Sequence, residues 1–375
     1  MDGIKTANEL REKSAVQFKE AAQRPLVSEL FAIRGEANQL RIKRMADRSG
    51  LPLTWLDQIP GTNGETGLEK LLCERSILLL RNRKSSFIEQ FRHPIGRCAK
   101  FYKLTAYNSC NFWCEYCYLY LTFRNQPVST HFVNYEKMYE EIEKFDKSTI
   151  PKRLRVLNLG ELGDPLAVDY ITGFAREVVS FTADNAKNTR LLFLTKSDCV
   201  NDLLQIDHQG RTIISFSINT NEVFEQLEHR TASPYSRLAA AAKVARAGYE
   251  VRIRIDPVIF YSTWQEDYVS LVDKIYEFVQ PTRITIGEYR PSSGLGNHIG
   301  NRFPESPLLR TNKGLVREGG KLRYPKGLRI EMFSAIINAI KKHDSNVQIS
   351  LCKENADIWR ALHLNQKGLR CNCLG

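Results

Sequence analysis

No run of apolar residues in the 375-residue chain is long enough to cross a bilayer, so the sequence predicts no membrane span. The opening stretch MDGIKTANELREKSAVQFKE is charged throughout and lacks the apolar segment of a secretion signal. Neither an internal repeat nor a low-complexity tract is present. These absences set aside a membrane-spanning protein, a secreted one and a repeat array, and they point to the cytoplasm. Thiols stay reduced there, so the nine cysteines are expected to be free, metal-bound or cluster-bound rather than paired in disulfides. Acidic side chains are also short in number. Lys plus Arg is 54 against 42 for Asp plus Glu, a net charge of +12. Such an excess suits nucleic acid, anionic lipid or a phosphorylated substrate, although a basic protein without any anionic partner is the plain alternative.

What is present falls into three regions. Residues 1–100 read as basic and mostly helical, with IKTANELREKSAVQFKEAAQR and LVSELFAIRGEANQLRIKRMADRSG at helical spacing and Gly50 and Pro52 as a stop. A cluster of Arg81, Arg83, Lys84, Arg92 and Arg97 closes the region and could touch phosphates or form a solvated face. From residue 101 to 300 short β-branched or aromatic runs alternate with amphipathic ones. FYKLTAYN, RLRVLNLG, TRLLFLT, RTIISFSIN, YEVRIRIDPVIF and TRITIGEYR are the six strands. YEKMYEEIEKFD, YITGFAREVVSFTADNA, SRLAAAAKVARAG and EDYVSLVDKIYEFVQ are the helices between them. This alternation predicts an α/β fold with a parallel sheet, an open six-fold (β/α) partial TIM barrel; a flat doubly wound sheet is the alternative. RPSSGLGNHIGNRFPESPLL reads as a long loop over the active rim. Residues 301–375 form a C-terminal region whose tail brings Cys352, Cys371 and Cys373.

The stretch YNSCNFWCEYCYLYL places Cys110, Cys114 and Cys117 within eight residues, directly after the first predicted strand. Loops after strands form the active face of parallel α/β folds. Three thiolates on one short loop can converge on an iron–sulfur centre and leave one iron of a [4Fe-4S] cluster open. A zinc site would call for a second C-x2-C knuckle, which is not evident nearby, and Asn111 and Glu115 make the loop too polar for a core strand. Charged Arg252, Arg254 and Asp256 alternate with Val251, Ile253 and Ile255 along one strand, so one face of it meets a polar interior. Arg254 then either contacts substrate or cofactor or pairs with Asp256 or Glu288. His298 and Asn297, in the loop beyond, carry little weight, and Arg237 reads as a capping or salt-bridging residue.

C-x3-C-x2-C after the first strand resembles the signature of the radical S-adenosylmethionine superfamily. CEYCYL, DPLAVDYITG, LTKSD and SFSIN resemble its spore photoproduct lyase branch most. The resemblance spans residues 101 to about 290. It implies a [4Fe-4S] cluster on Cys110, Cys114 and Cys117 whose open iron takes S-adenosylmethionine, reductive cleavage to a 5′-deoxyadenosyl radical, and a flavodoxin- or ferredoxin-type electron donor. It further implies that Gly160 lets backbone approach the methionine moiety, that Glu161 accepts from its ammonium group, and that Lys196 and Ser217 hold its carboxylate. Asn219 and Arg254 are further cofactor-binding candidates, and Tyr116 and Tyr118 flank the last cluster cysteine. In the lyase branch a cysteine three residues before the aspartate of the DPLAVDYITG segment returns hydrogen to the product radical. Glu161 stands there in this chain, and Cys199 is the nearest downstream thiol. This departure implies a relative working on a different substrate: a nucleic acid or nucleotide, or else a peptide or small metabolite. Cys352, Cys371 and Cys373 suggest an auxiliary cluster, with Cys98, Cys199 or a non-cysteine group completing it; zinc or a hydrogen-donating thiol pair is the alternative.

Overall fold

The computed structural model describes residues 25–36, 38–59, 75–91, 98, 100–125, 128–364 and 371–375. The helical reading of residues 4–24 and the positions of Arg92 and Arg97 lie outside these.

The six expected strands all form, and they lie side by side in chain order. β5 (Phe101–Leu104), β9 (Val156–Asn158), β10 (Arg190–Thr195), β11 (Thr212–Ser217), β13 (Glu250–Val258) and β14 (Arg283–Glu288) pair in parallel. β17 (Gln348–Leu351) extends the sheet in parallel beyond β14, and β4 (Ile88–Phe91) adds an antiparallel edge beside β5. The order β17-β14-β13-β11-β10-β9-β5-β4 never reverses, which excludes the doubly wound alternative, and the sheet does not close on itself. β10, β11 and β14 are buried almost from end to end, as strands covered on both faces must be.

Helices supply one cover. Tyr135–Asp146 buries Tyr135, Met138, Ile142 and Phe145 at helical spacing. Pro234–Arg246 starts on Ser233, whose hydroxyl accepts from the Ser236 amide at 3.1 Å, with proline in the first turn where no amide is missed. The segment read as one helix over 170–186 is two, Asp169–Thr172 and Phe174–Asn185, because Gly173 takes φ +59° between them. The expected loop at 290–309 contains a helix, Leu295–Arg302, which buries Leu295 and Ile299.

The helical reading of the N-terminal region is corrected. Only Gln39–Ser49 is helical among its described residues. The apolar runs ELFAI and ILLLR are instead strands, β1 (Glu29–Ile33) and β3 (Ile77–Arg81). With β2 (Leu53–Leu56), β8 (Ser129–Phe132) and β6 (Tyr107–Asn108) they form a second sheet, β2-β1-β3-β8-β6, parallel apart from the β6–β8 pair. Short apolar runs fit a buried strand and a buried helix equally well by periodicity, and burial on both faces decides for the strand. The C-terminal residues join the main sheet. Besides β17, the tail docks against the main sheet: Arg252 donates to the carbonyls of Asn372 and Leu374 at 2.8 and 2.6 Å, and Arg283 to those of Cys371 and Leu374 at 2.7 and 2.8 Å.

Candidate active site

The loop after β5 carries the three clustered cysteines, and three features pin it. β7 (Trp113–Cys114) pairs antiparallel with β12 (Glu228–His229), and the Glu115 amide donates to the Leu227 carbonyl at 2.9 Å. Arg75, buried and reaching in from the N-terminal sheet, donates to the Phe112 carbonyl at 2.7 Å and stacks on the Tyr120 ring at 3.9 Å. Its guanidinium also hydrogen-bonds Cys117 and faces Cys110. Sequence reasoning missed Arg75, since nothing in its neighbourhood of the chain marks it.

Cys110, Cys114 and Cys117 all line one cavity of about 290 Å³ at the ends of the parallel strands, together with Gly160, Glu161, Lys196, Ser217 and Arg254. Burial, then Asp164, pushes the Cys110 thiol up to about 12, and burial, then Glu228, raises the Cys114 thiol well above its ordinary range. A tripod with a cationic guanidinium at its back fits a [4Fe-4S] cluster with one open iron.

The cavity wall opposite is a chain of contacts across strand ends. Lys196 Nζ donates to Ser217 Oγ at 2.6 Å. It also lies 3.7 Å from Glu228 and 5.7 Å from the Tyr116 ring centre. Glu228 is fully buried; burial alone would raise it, but Arg237 and Lys196 hold its carboxyl below the ordinary range. Arg237 bonds Glu228 at 2.6 Å and the Ser217 carbonyl at 2.8 Å, so it is the salt-bridging residue its position suggested. Tyr116 donates to Glu228, and Tyr118 to the Glu161 carbonyl. Asp164 ties the β9 loop to the end of β10, accepting from Thr195 Oγ1 at 2.7 Å and the Lys196 amide at 2.6 Å.

Several sequence expectations need correcting. A Cβ on Gly160 would collide with Leu194 Cβ, so the approach of the neighbouring strand by itself requires glycine at this point of the cavity wall. Asn219 is buried with both ends of its amide used: Nδ2 donates to the Pro257 carbonyl at 2.7 Å and Oδ1 accepts from Tyr268 at 2.9 Å. It does not line the cavity. Cys199 does not line it either; it sits beside Asp169 and Tyr170, where burial pushes its thiol up to about 12. His298 stacks on Tyr120 at 4.3 Å instead of facing the cavity. Arg254 donates to Asp256 at 2.8 Å while lining the cavity, and Arg290 grips the same carboxylate at 2.9 Å on both oxygens. Glu288 pairs elsewhere, with Arg323.

Two further cations, Lys321 and Lys353, line the cavity. Neither makes an ion pair among the described residues. Burial, then Lys353 and Arg290, lowers the Lys321 ammonium from its ordinary range. The sequence left both unmarked: Lys321 lies beyond the last expected strand, and Lys353 follows β17, a strand the sequence reading did not expect.

Comparison with known proteins agrees with this geometry. The spore photoproduct lyase family model matches residues 39–289, more than half the chain. The spore photoproduct lyase of Clostridium acetobutylicum is 26% identical over 60% of this chain and 67% of its own length. That of Geobacillus sp. (strain Y412MC61) is 27% identical over 67% and 73%. Among solved structures, spore photoproduct lyase complexed with dinucleoside spore photoproduct superposes with a TM-score of 0.74 at 23% identity, over 88% of this chain and 100% of that one. A variant with bound AdoMet and dinucleoside spore photoproduct gives 0.74 at 22% identity, over 88% and 98%. These likenesses establish a shared mixed α/β fold with parallel sheets. The chain belongs to the spore photoproduct lyase family, radical S-adenosylmethionine enzymes that use a [4Fe-4S] cluster.

Proposed function

We propose that Cys110, Cys114 and Cys117 hold the [4Fe-4S] cluster, and that the chain cleaves S-adenosylmethionine reductively to act on a nucleic acid or nucleotide. When bound, cluster and S-adenosylmethionine supply a 5′-deoxyadenosyl radical that takes hydrogen from substrate. The protein's part is to bind, orient and exclude water. The Lys196–Ser217 pair offers an ammonium and a hydroxyl to the methionine carboxylate, and the Glu161 carboxylate accepts from its ammonium. Tyr116 and Tyr118 wall the space beside Cys117, each fixed through its hydroxyl. The six central strands, by this reading, curl as an open partial barrel around the cavity. A flavodoxin- or ferredoxin-type protein supplies the electron, and the cytoplasm is its setting.

One observation carries the reading: the thiol tripod and the Lys196–Ser217 pair, more than seventy residues apart in the chain, line the same cavity. The anionic class of substrate rests on Lys321 and Lys353, two ammonium groups on the cavity wall suited to phosphate oxygens. Dinucleoside spore photoproduct, bound by related structures, is the first candidate. The family's hydrogen-returning thiol has no counterpart at Glu161, and this favours a second reading in which a peptide or small metabolite is the substrate. The discriminating experiment measures deoxyadenosine release with reduced protein and S-adenosylmethionine, alone and with a spore-photoproduct dinucleotide. Stimulation by the dinucleotide supports the nucleotide reading; cleavage that no nucleotide stimulates supports the second.

A further inference from the structure

Four cysteines outside the tripod meet in one place. Cys98 comes from the segment before β5, Cys352 from the end of β17, and Cys371 and Cys373 from the tail; all four line a single small cavity. The Cys371 and Cys373 thiols hydrogen-bond one another, and burial, then the neighbouring Cys352 and Cys373, pushes the Cys98 thiol up to about 11. Each of these residues is at most partly exposed.

The tail is held there at a cost. Arg252 and Arg283, 1% and 5% exposed, direct their guanidinium groups at the carbonyls of residues 371, 372 and 374, and the Asn372 amide donates to Ser215 Oγ at 2.7 Å. Desolvating two guanidinium groups is expensive, and the outcome is that two thiols are carried to Cys352. Cations face the thiols from the other side. Arg254 Nη2 lies 2.8 Å and Arg290 Nη2 3.3 Å from Cys352 Sγ, and Lys353 also lines the cavity. Four thiolates around an iron–sulfur core carry net negative charge, which these groups offset.

We propose that Cys98, Cys352, Cys371 and Cys373 ligate a second iron–sulfur cluster, bound through four iron–thiolate bonds as the thiols release their protons. The inference is independent of what the tripod holds. Zinc fits less well. Tetrahedral zinc with bonds near 2.3 Å draws its sulfurs to about 3.8 Å from one another. Among the described residues no three His, Cys, Asp or Glu side chains gather closely enough to enclose a single ion. A cubane binds each thiolate at a different corner and so spreads them wider, and the same holds at the tripod. Glu161, Arg254 and Lys353 line both cavities, so the second centre stands one side chain from the first.

The test uses full-length protein purified without oxygen: wild type, C110S/C114S/C117S, C371S/C373S and C98S. Iron, acid-labile sulfide and zinc are quantified, and the dithionite-reduced proteins are followed by EPR with and without S-adenosylmethionine. Wild type is expected to hold about eight irons. The triple variant should keep about half, with a signal that S-adenosylmethionine does not alter. C371S/C373S and C98S should each lose about half the iron and keep an S-adenosylmethionine-sensitive signal. Iron unchanged by C371S/C373S, zinc in place of iron in the triple variant, or a Cys371–Cys373 disulfide without metal would each overturn the proposal. If the tripod reading fails instead, the sensitive signal is missing from wild type while the tail-dependent iron remains.

Discussion

Lys196 Nζ donates to Ser217 Oγ at 2.6 Å, across the ends of two adjacent parallel strands, β10 and β11. Together they present a cation and a hydroxyl at one spot, as a carboxylate requires.

Lys196→Met is therefore expected to weaken S-adenosylmethionine binding by about 10- to 100-fold, the loss of one charge-assisted contact. Ser217→Ala should weaken it by about 5-fold. Equilibrium binding to the anaerobic cluster-loaded protein measures both; unchanged affinity in Lys196→Met would remove the pair from the site.

Glu228 stands at the centre of a buried network with Arg237, Tyr116 and Lys196. Glu228→Gln leaves the fully buried Arg237 without its counter-charge, an expected loss of about 3–5 kcal/mol. Thermal unfolding should shift down by ~5 °C or more. A shift below 1 °C would show that the pair contributes little.

Glu250 gives a pH dependence. Burial alone would raise its carboxyl, but Arg252 and Arg190 hold it down to about 2 from an ordinary 4.5. A depressed carboxyl contributes stability that is complete above its unfolded value and lost as pH falls through the folded one. Melting temperature should therefore drop between pH 4.5 and 2, and Glu250→Gln should flatten that drop while lowering stability at neutral pH. Because Arg252 also holds the tail carbonyls, the variant should expose residues 371–375 to hydrogen exchange. An unchanged pH profile in Glu250→Gln would rule out this source of acid lability.

Lys321 and Lys353 are expected to meet phosphate. Replacing both with alanine should weaken binding of a short oligonucleotide and reduce the slope of log affinity against log salt by about 1 for each lysine in contact. A slope equal to that of wild type would place the nucleic acid elsewhere.

The six central strands and the helices between them were legible because period-2 and period-3.6 patterns alternate cleanly along residues 101–290. The tripod was legible because its three cysteines are neighbours in sequence. The rest was not legible. Strands β1 and β3 are short apolar runs that periodicity does not tell from buried helix, and Arg75 reaches the cysteine loop from the other sheet. Asn219 shows the converse: a polar residue beyond a strand end looks available in sequence, yet Tyr268 and Pro257 consume it. Cys98 was one of several candidates beside the tail thiols in the sequence, and the docking of residues 371–375 by Arg252 and Arg283 singles it out over Cys199.

The central claim is that Cys110, Cys114 and Cys117 hold the cluster at which S-adenosylmethionine is cleaved. Its most direct measurement is chromatographic quantification of 5′-deoxyadenosine and methionine after reducing the anaerobic protein with S-adenosylmethionine present. Wild type should release both, and serine at any one of the three positions should abolish release while the fold, judged by circular dichroism, persists. Release undiminished in the triple variant, or none from wild-type protein carrying its full iron, would contradict the claim.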